Sequence, residues 1–369
     1  MTDLLLKLID ESQPAITEAE ERGHFDATLF NRIAEIGFFD LTRPQTYGGQ
    51  QVDYEDLLQL ILAVSGRNGS LGWCLMILGQ HNILAQGYPE SVTSRLFKER
   101  PLLLTTCFTP VGHAIRLDDG GYRLTGTWHY ATSIHYCNWV AVDAQLDDSD
   151  QAATFLVPAR LFTIHDDWRM IGMRATGSPS ISLEALESDE IMMIPPEHKG
   201  FLAPHSRERI PPAYRIPQRI MTALGTLAPI VGMLEGLVDI SAGRMKRPGA
   251  RAGIDMETLA LHEAMQSLRG EVAQCDVLFR SLAAAVTRLT RRNDEFPGAT
   301  QDDIVLQCGL LADRCRGLAS RAFALSGTAA ARQGNPIGTR LCDIHVMASH
   351  YLLRRPILSM NAALRSLSH

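Results

Sequence analysis

The chain has 369 residues, of which 46% are hydrophobic and 21% charged, a balance that predicts a globular protein with ample material for a core. Its formal charge of −6 argues against a nucleic-acid-binding protein, for which a basic surface is expected. The seven cysteines form no CxxC motif and no metal-ligand spacing, so we expect reduced thiols, no metal site and a cytoplasmic location. The acidic N-terminus predicts no signal peptide, and the absence of a stretch of about 18 apolar residues predicts no membrane span.

Residues 1–100 are predicted to form an N-terminal helical domain. Apolar residues recur at helical spacing from Leu4 to Ile9 and again from Phe30 to Phe38. Residues 69–86, which include Trp73 and His81, are apolar over most of the circumference of a helix. That pattern is typical of a buried helix.

Residues 101–200 are predicted to form a β domain, because runs of β-branched and aromatic residues alternate there with turn residues. No long helical pattern interrupts them, which favours a compact antiparallel barrel or sandwich over a βαβ sheet. The predicted strands are 102–108, 114–117, 122–130, 139–145, 153–157, 162–168 and 181–193. Between the aromatic residues of Tyr130–Trp139 lie Thr132, Ser133 and His135. Buried polar groups need partners, and a flat ligand with a polar edge would supply them.

Residues 201–369 are predicted to form a C-terminal four-helix bundle. Long helices are expected at 220–246, 256–292 and 304–332, and from Pro336 to about residue 364. Thr300 and Asp303 resemble a capping box that opens the third of them. Long helices joined by short breaks are typical of an antiparallel bundle. The predicted fold class is therefore α+β, in the order helical domain, β domain and helical bundle.

Four segments, in this order, resemble those of the acyl-CoA dehydrogenase superfamily over nearly the whole chain. Two resemble its flavin-contacting strand ends, one resembles the loop that closes over substrate, and one resembles its C-terminal motif. They are Thr106–Gly112, Gly126–Ser133 with Asn138 and Trp139, Trp168–Ser178, and Gly327 with Pro336, Arg340 and Asp343. The resemblance implies a flavoprotein with the three-part fold above, assembled as a homotetramer.

One departure from that family indicates a particular branch. Dehydrogenases of this fold commonly place a catalytic glutamate shortly after the Arg-Asp pair, whereas here no carboxylate follows Asp343 and His350 occupies that neighbourhood. With Trp73 and His81, the segment Met347–His350 resembles the oxygenase component of two-component flavin monooxygenases, of the p-hydroxyphenylacetate and steroid-ring hydroxylase type. The resemblance implies that a separate NAD(P)H flavin reductase supplies FADH2 or FMNH2. With O2, the reduced flavin would form a C4a-hydroperoxide that hydroxylates a small aromatic or polycyclic substrate.

The expected catalytic residues are His350, His81 and Ser349. Histidine suits proton transfer because its unperturbed pKa of about 6.5 lies near working pH. We place His350 on a helix, one turn after Met347. A histidine bonded only within the protein is the alternative for both histidines, and core packing is the alternative for Trp73. Substrate contacts are expected from Trp73, His81, Thr176 and Ser178.

The expected cofactor contacts lie in the strand ends and in the C-terminal region. Hydroxyl groups can donate to the edge of the flavin ring, although they can equally bond across a sheet. Arg244 begins a basic cluster with Lys246, Arg247 and Arg251, which would hold a flavin phosphate or would simply favour a helix C-terminus. The full set is Cys107, Phe108, Thr109, Tyr130, Thr132, Ser133, Arg174, Arg244, Ser326 and Gly327.

Other functions remain open from the sequence. Acyl thioester dehydrogenation or oxidation, N-oxygenation of an amino sugar, and a non-catalytic flavin-binding scaffold are each compatible with the fold. The sequence has no GxGxxG after a strand, no GxxxxGK[ST] and no GxSxG motif. Nicotinamide and nucleoside-triphosphate chemistry therefore have no support in it.

Overall fold

The computed structural model describes residues 1–198, 204–245, 255–292, 296–354 and 358. The chain forms two compact units that interleave in sequence. Unit 1 contains Met1–Leu57, Cys74–Met170 and Arg174–Gln218 as far as they are described. Unit 2 contains Leu58–Trp73, Ile171–Met173 and the described part of residues 219–369. The domain boundaries at residues 100 and 200 stay predictions.

The N-terminal region is helical, as the apolar periodicity predicts. Asp26 caps the third helix by accepting a hydrogen bond from the Thr28 backbone N–H at 2.7 Å. Gly23, at φ 90°, ends the second in the left-handed conformation that glycine adopts without strain. The helices are α1 (Thr2–Glu11), α2 (Gln13–Arg22), α3 (Ala27–Glu35), α4 (Tyr54–Arg67), α5 (Gly69–Leu84) and α6 (Glu90–Leu96).

The strands in the described residues form one seven-stranded mixed sheet in unit 1, in the order β5-β6-β2-β1-β3-β4-β7. β1 and β3 pair in parallel, and the other neighbours are antiparallel. The predicted central β domain is thus confirmed, but the expectation that it is wholly antiparallel is wrong, and a closed barrel is not shown. The strands are β1 (Leu104–Arg116), β2 (Tyr122–Trp128), β3 (Trp139–Leu146), β4 (Ala152–Pro158), β5 (Thr163–Ile164), β6 (Ile181–Glu187) and β7 (Met192–Ile194).

Strand β3, which lies between β1 and β4, is buried on both faces of the sheet over most of its length. Val140 and Val142 contribute to the core that contains Trp128. Trp139 and Ala141 contribute to a second core on the alternate face. Alternation with a period of two residues places successive side chains on opposite faces, so the first four residues of β3, Trp139–Val142, are all apolar. The residues after β2 differ from the prediction, because Tyr130–Asn138 is a loop of turns between β2 and β3 rather than part of a strand.

The C-terminal region is helical: α7 (Pro204–Arg207), α8 (Gln218–Arg244), α9 (Met256–Arg291), α10 (Gly298–Leu325) and α11 (Pro336–Ala348). Three predicted ends are wrong, and one of them is the end of α10, which lies at Leu325 rather than at residue 332. α10 begins at Gly298 with Pro297 as its N-cap, so the predicted capping box lies inside the helix. α11 ends at Ala348, well before residue 364, because Ser349 hydrogen-bonds back to the preceding turn.

By length and composition alone, α8 is long and apolar enough to cross a membrane, contrary to the expectation that no stretch of the chain is so apolar. However, 83% of its most apolar window is buried within the protein, as in a core helix. Within unit 2 it packs at backbone distance against α4: a Cβ added to Gly236 would lie 2.2 Å from the Gly66 carbonyl oxygen. Only glycine permits this approach.

Candidate functional site

His350 lies in unit 2, immediately after α11, and not on the helix as predicted. Its backbone N–H donates to the Met347 carbonyl oxygen at 3.0 Å, and its own carbonyl accepts from Leu353. The side chain is largely buried, and its Nδ1 has no hydrogen-bond partner among the described residues. Burial lowers the pKa of His350 to about 4, and the charge of Arg354 lowers it further in the same direction. The imidazole is therefore neutral at pH 7.

Two aromatic rings flank His350. The Trp73 ring lies 5.9 Å from the imidazole centroid, at an angle of 61°. The Tyr351 ring lies 4.8 Å away on a side chain that is 65% exposed. The structure thus brings together Trp73 and His350, two residues that were predicted separately, whereas Tyr351 was not predicted. Its position directly after His350 was the signal that could have identified it.

His81 lies on α5 in unit 1 and is 4% exposed. Its Nδ1 lies 2.8 Å from the Leu104 carbonyl oxygen, so the neutral ring donates there and its Nε2 is the acceptor. Burial lowers the pKa of His81 to about 4, although the hydrogen bond to Leu104 opposes this shift. These contacts match the alternative of a backbone-bonded histidine and leave only Nε2 for chemistry.

The loop after β2 brings together three hydroxyl groups of unit 1. The Ser178 hydroxyl donates to Thr132 Oγ1 at 3.0 Å. Thr176 Oγ1 lies 2.9 Å from Ser178 Oγ, and because the Ser178 proton is already donated, Thr176 is the donor in that bond. The Thr132 hydroxyl only accepts in this series of hydrogen bonds, so its own proton is not donated within it. Ser133, at φ 64°, donates its backbone N–H to the carbonyl oxygens of Thr176 and Gly177.

An exposed aromatic surface adjoins these hydroxyls. Tyr130, which also has a left-handed φ of 64°, is 67% exposed, and its ring meets the Trp168 ring edge-on at 6.2 Å. The Trp168 indole N–H donates to the Arg174 carbonyl oxygen at 3.0 Å. The Arg174 guanidinium is half-buried and forms no hydrogen bond or ion pair with a residue that the structure describes. A planar, negatively charged ligand would suit this surface. The surface offers aromatic rings, a hydroxyl donor and a guanidinium that no described residue neutralises.

The predicted contacts on β1 differ in exposure. Cys107 is 3% exposed and packs in the sheet core, where burial raises the pKa of its thiol to about 12. Phe108 packs against the second core, and Thr109 is exposed. A ligand at this strand would therefore meet the Thr109 side chain and backbone atoms. The β1–β3 pairing shifts register between Cys107 and Gly112, which frees backbone groups at this point.

The remaining predicted residues are used in capping. The hydroxyl of Ser349 donates to the His345 carbonyl oxygen at 2.8 Å, and that of Ser326 donates to Ala322 at the end of α10. Gly327 follows at φ 69°. Arg244 donates to the side chain of Asn335, the N-cap of α11, at 3.0 Å. Lys246, Arg247 and Arg251 lie outside the described residues.

Two family models match the chain. The acyl-CoA dehydrogenase N-terminal domain matches residues 7–92, and the acyl-CoA dehydrogenase C-terminal domain matches residues 224–355. Together they cover more than half of the chain. The chain belongs to the acyl-CoA dehydrogenase superfamily. The α+β fold class and the family predicted from the sequence are thereby confirmed.

Named relatives are similar to this member of the superfamily in sequence and in structure. The FADH(2)-dependent resorcinol hydroxylase, oxygenase component, of Rhizobium sp. (strain MTP-10005) is 28% identical over 73% of this chain and 69% of that protein. The flavin-dependent monooxygenase, oxygenase subunit HsaA, of Rhodococcus jostii (strain RHA1) is 25% identical over 60% of this chain and 59% of that protein. The structure of XiaF from Streptomyces sp. in complex with FADH2 and glycerol superposes with a TM-score of 0.84 at 21% identity, covering 100% of this chain and 96% of that one.

These relatives confirm two predictions made from the missing glutamate. The first two are named as oxygenase components or subunits, which confirms the monooxygenase branch of the superfamily. The first is named for its dependence on FADH2, and the XiaF structure contains FADH2, which confirms reduced flavin as the cofactor class. The matched region spans less than two thirds of HsaA.

Proposed function

We propose that this protein is the oxygenase component of a two-component flavin-dependent monooxygenase, which hydroxylates a small aromatic substrate. Reduced flavin would come from a separate NAD(P)H flavin reductase, and O2 would be the oxidant. One observation carries the proposal: a buried neutral imidazole, His350, stands with an unpartnered Nδ1 against Trp73, in a sequence where no carboxylate follows Asp343. By resemblance to the superfamily, the proposed assembly is a homotetramer.

The cofactor contacts that we propose lie in unit 1. Tyr130 and Trp168 offer aromatic surface, the Thr132 hydroxyl offers a donor, and Arg174 offers a positive charge that no described residue neutralises. When bound, reduced flavin supplies the electrons that activate O2. The buried hydroxyl bonds among Thr132, Ser178 and Thr176 hold this surface in one arrangement before any ligand arrives.

The proposed role of His350 is to accept a proton from a substrate hydroxyl. Its pKa of about 4 reflects burial without an anionic partner. A phenol that binds beside the ring and begins to ionise provides that partner, and an adjacent negative charge raises the pKa of a histidine. Substrate binding and proton transfer therefore strengthen each other. Trp73 meets the imidazole edge-on and Tyr351 lies beside it on an exposed side chain, so both rings offer aromatic surface next to the proposed base for a flat substrate.

A single-mixing experiment tests the proposal. Purified protein with anaerobically reduced FAD or FMN is mixed with oxygenated buffer, and the flavin spectrum is followed with and without a panel of phenols. We expect a transient flavin absorbance before the oxidised spectrum returns, and a hydroxylated product when a suitable phenol is present. Immediate return of oxidised flavin with both cofactors and in several buffers would contradict the proposal.

The same preparation separates the alternatives. Anaerobic bleaching of oxidised flavin by an acyl-CoA would favour a thioester dehydrogenase. Oxygenation of an amine on a sugar, with no phenol accepted, would favour N-oxygenation. A flavin-binding protein that shows no turnover and is unaffected by His350→Gln would be a scaffold.

A further inference from the structure

A short segment of unit 2, Ile171–Met173, is pressed against α11. The Met173 backbone N–H donates to Oδ1 of Asp343, a residue only 2% exposed. A Cβ added to Gly172 would lie 2.4 Å from the carbonyl carbon of Cys342, so no other residue fits that position without moving the helix backbone. Met173 is buried and has a left-handed φ of 56°, a conformation that a side chain of this size rarely adopts. The contact is thus specific and under strain.

The same helix holds a second segment of unit 2 through Arg340. Its guanidinium donates to the carbonyl oxygens of Gly66 at 3.0 Å and Arg67 at 2.5 Å, the last residues of α4. Carbonyls at a helix C-terminus have no partner within the helix, so these bonds complete the end of α4. The chain then turns into α5, on which Trp73 lies one turn after the start at Gly69.

α11 therefore has two buried attachments and leads directly into His350. Asp343 lies about one and a half turns before the end of α11 at Ala348, and His350 follows that end with its backbone N–H donating to the Met347 carbonyl oxygen. A displacement of the helix at Asp343 therefore also displaces His350. The His350 ring in turn meets Trp73, which follows the segment that Arg340 holds. The attachment at Asp343 therefore affects where the His350 ring lies, and the attachment at Arg340 affects where the Trp73 ring lies.

We infer that Asp343 and Arg340 are positioning residues for His350. Asp343 fixes α11 against Ile171–Met173, and Arg340 fixes it against the end of α4, so that the imidazole stays buried against Trp73. The catalytic consequence rests on the proposed function, whereas the placement of the ring can be tested without turnover.

The placement is measured by NMR on protein labelled at histidine ¹³Cε1, with the His350 signal assigned from its loss in His350→Gln. In the wild type the signal should titrate near pH 4 and carry a ring-current shift from Trp73. In Asp343→Ala and Gly172→Ala we expect the midpoint to rise by about one pKa unit or more, as burial is lost. Asp343→Asn keeps an oxygen that accepts from Met173 and should retain the wild-type signal.

Asp239→Ala is the control, because it removes a carboxylate whose ion pair with Arg269 is largely exposed. An unchanged His350 signal in either folded variant, Asp343→Ala or Gly172→Ala, would overturn the inference. If Asp343→Ala does not fold, the His350 signal of Gly172→Ala decides the inference. That variant disturbs the contact with α11 from the Ile171–Met173 segment instead of from the helix.

The effect of this positioning on catalysis is tested by measuring product formation. With reduced flavin, O2 and a phenol that the wild type accepts, product formation should fall about 100-fold in Asp343→Ala, as displacements of about 1 Å cause elsewhere. Flavin oxidation should continue, with H2O2 replacing product, and Asp343→Asn should recover most of the product. If the wild type accepts no phenol, the proposed function fails, while the NMR result still decides the positioning role.

Discussion

Replacement of His350 by glutamine is the most direct test of how this protein handles protons. Glutamine preserves a polar side chain of similar reach but cannot accept a proton at neutral pH. Removal of a general base typically lowers the rate of the step that it assists by about 10²- to 10⁴-fold. We expect a loss of product in this range, with O2 consumption retained because the flavin contacts proposed for unit 1 are untouched.

The burial of His350 also determines how kcat/KM for hydroxylation should depend on pH. A pKa moved from 6.5 to about 4 by burial corresponds to about 3 kcal/mol against the imidazolium. At pH 7 about one molecule in a thousand carries a proton on His350. The base form is thus fully populated at every pH well above 4. We expect kcat/KM for hydroxylation, which reports the free enzyme, to be flat from pH 5.5 to about 8.

The assay measures product and H2O2 separately across this pH range in the wild type, in His350→Gln and in His345→Gln. His345 is a matched control on α11, where its Nε2 lies 3.1 Å from the Ser320 hydroxyl. A wild-type profile with a midpoint near 6.5 would show that His350 is solvated and would refute the burial argument. Full product yield in His350→Gln would refute its role.

Three further changes test the fold and the proposed cofactor surface. Burial lowers the pKa of His81, so the unfolded chain binds more protons between pH 6.5 and about 4, and stability falls as pH falls through that window. His81→Gln should reduce this loss by about 2–3 kcal/mol, measured by urea unfolding at pH 7 and pH 4.5. Gly236→Ala forces a methyl group onto the Gly66 carbonyl and should cost about 1–3 kcal/mol, whereas Gly243→Ala, with open space around it, should cost nothing of that size. Equal melting temperatures for the two variants would contradict the close packing of α4 and α8. Tyr130→Ala removes a ring that is 67% exposed and should leave stability within about 0.5 kcal/mol. It should weaken reduced-flavin binding about 3- to 10-fold, and unchanged binding in a fluorescence titration would exclude Tyr130 from the cofactor surface.

Local periodicity predicted the order of helices and strands because it reports which face of each element is buried. It did not predict that β1 and β3 are parallel, since that pairing depends on a connection that runs through β2 and the Tyr130–Asn138 loop. Nor did it join residues 102–108 and 114–117 into one strand, because Pro110 and Gly112 are turn residues by local rules. A register shift in the β1–β3 pairing accommodates them there.

The candidate site was predictable where neighbours in sequence are neighbours in space, and where a family motif was intact. Trp73 and His350 were both named from the sequence, but their contact joins α5 to the end of α11. The bond from Met173 to Asp343 spans 170 residues and involves a backbone N–H, which no side-chain pattern reveals. The end of α11 was misplaced because the back-bonding of Ser349 competes locally with continuation of the helix.

The two buried histidines are not equivalent as proton acceptors. Nδ1 of His81 is committed to the Leu104 carbonyl oxygen, which fixes its tautomer and orientation, whereas Nδ1 of His350 has no partner among the described residues. A base whose pKa has been lowered to about 4 gains proton affinity only when negative charge develops beside it. A hydroxyl substrate can supply that charge from close range, because its oxygen can hydrogen-bond to the ring before any proton moves. The unpartnered Nδ1 of His350 is therefore the atom that we expect to meet the substrate hydroxyl in the proposed function.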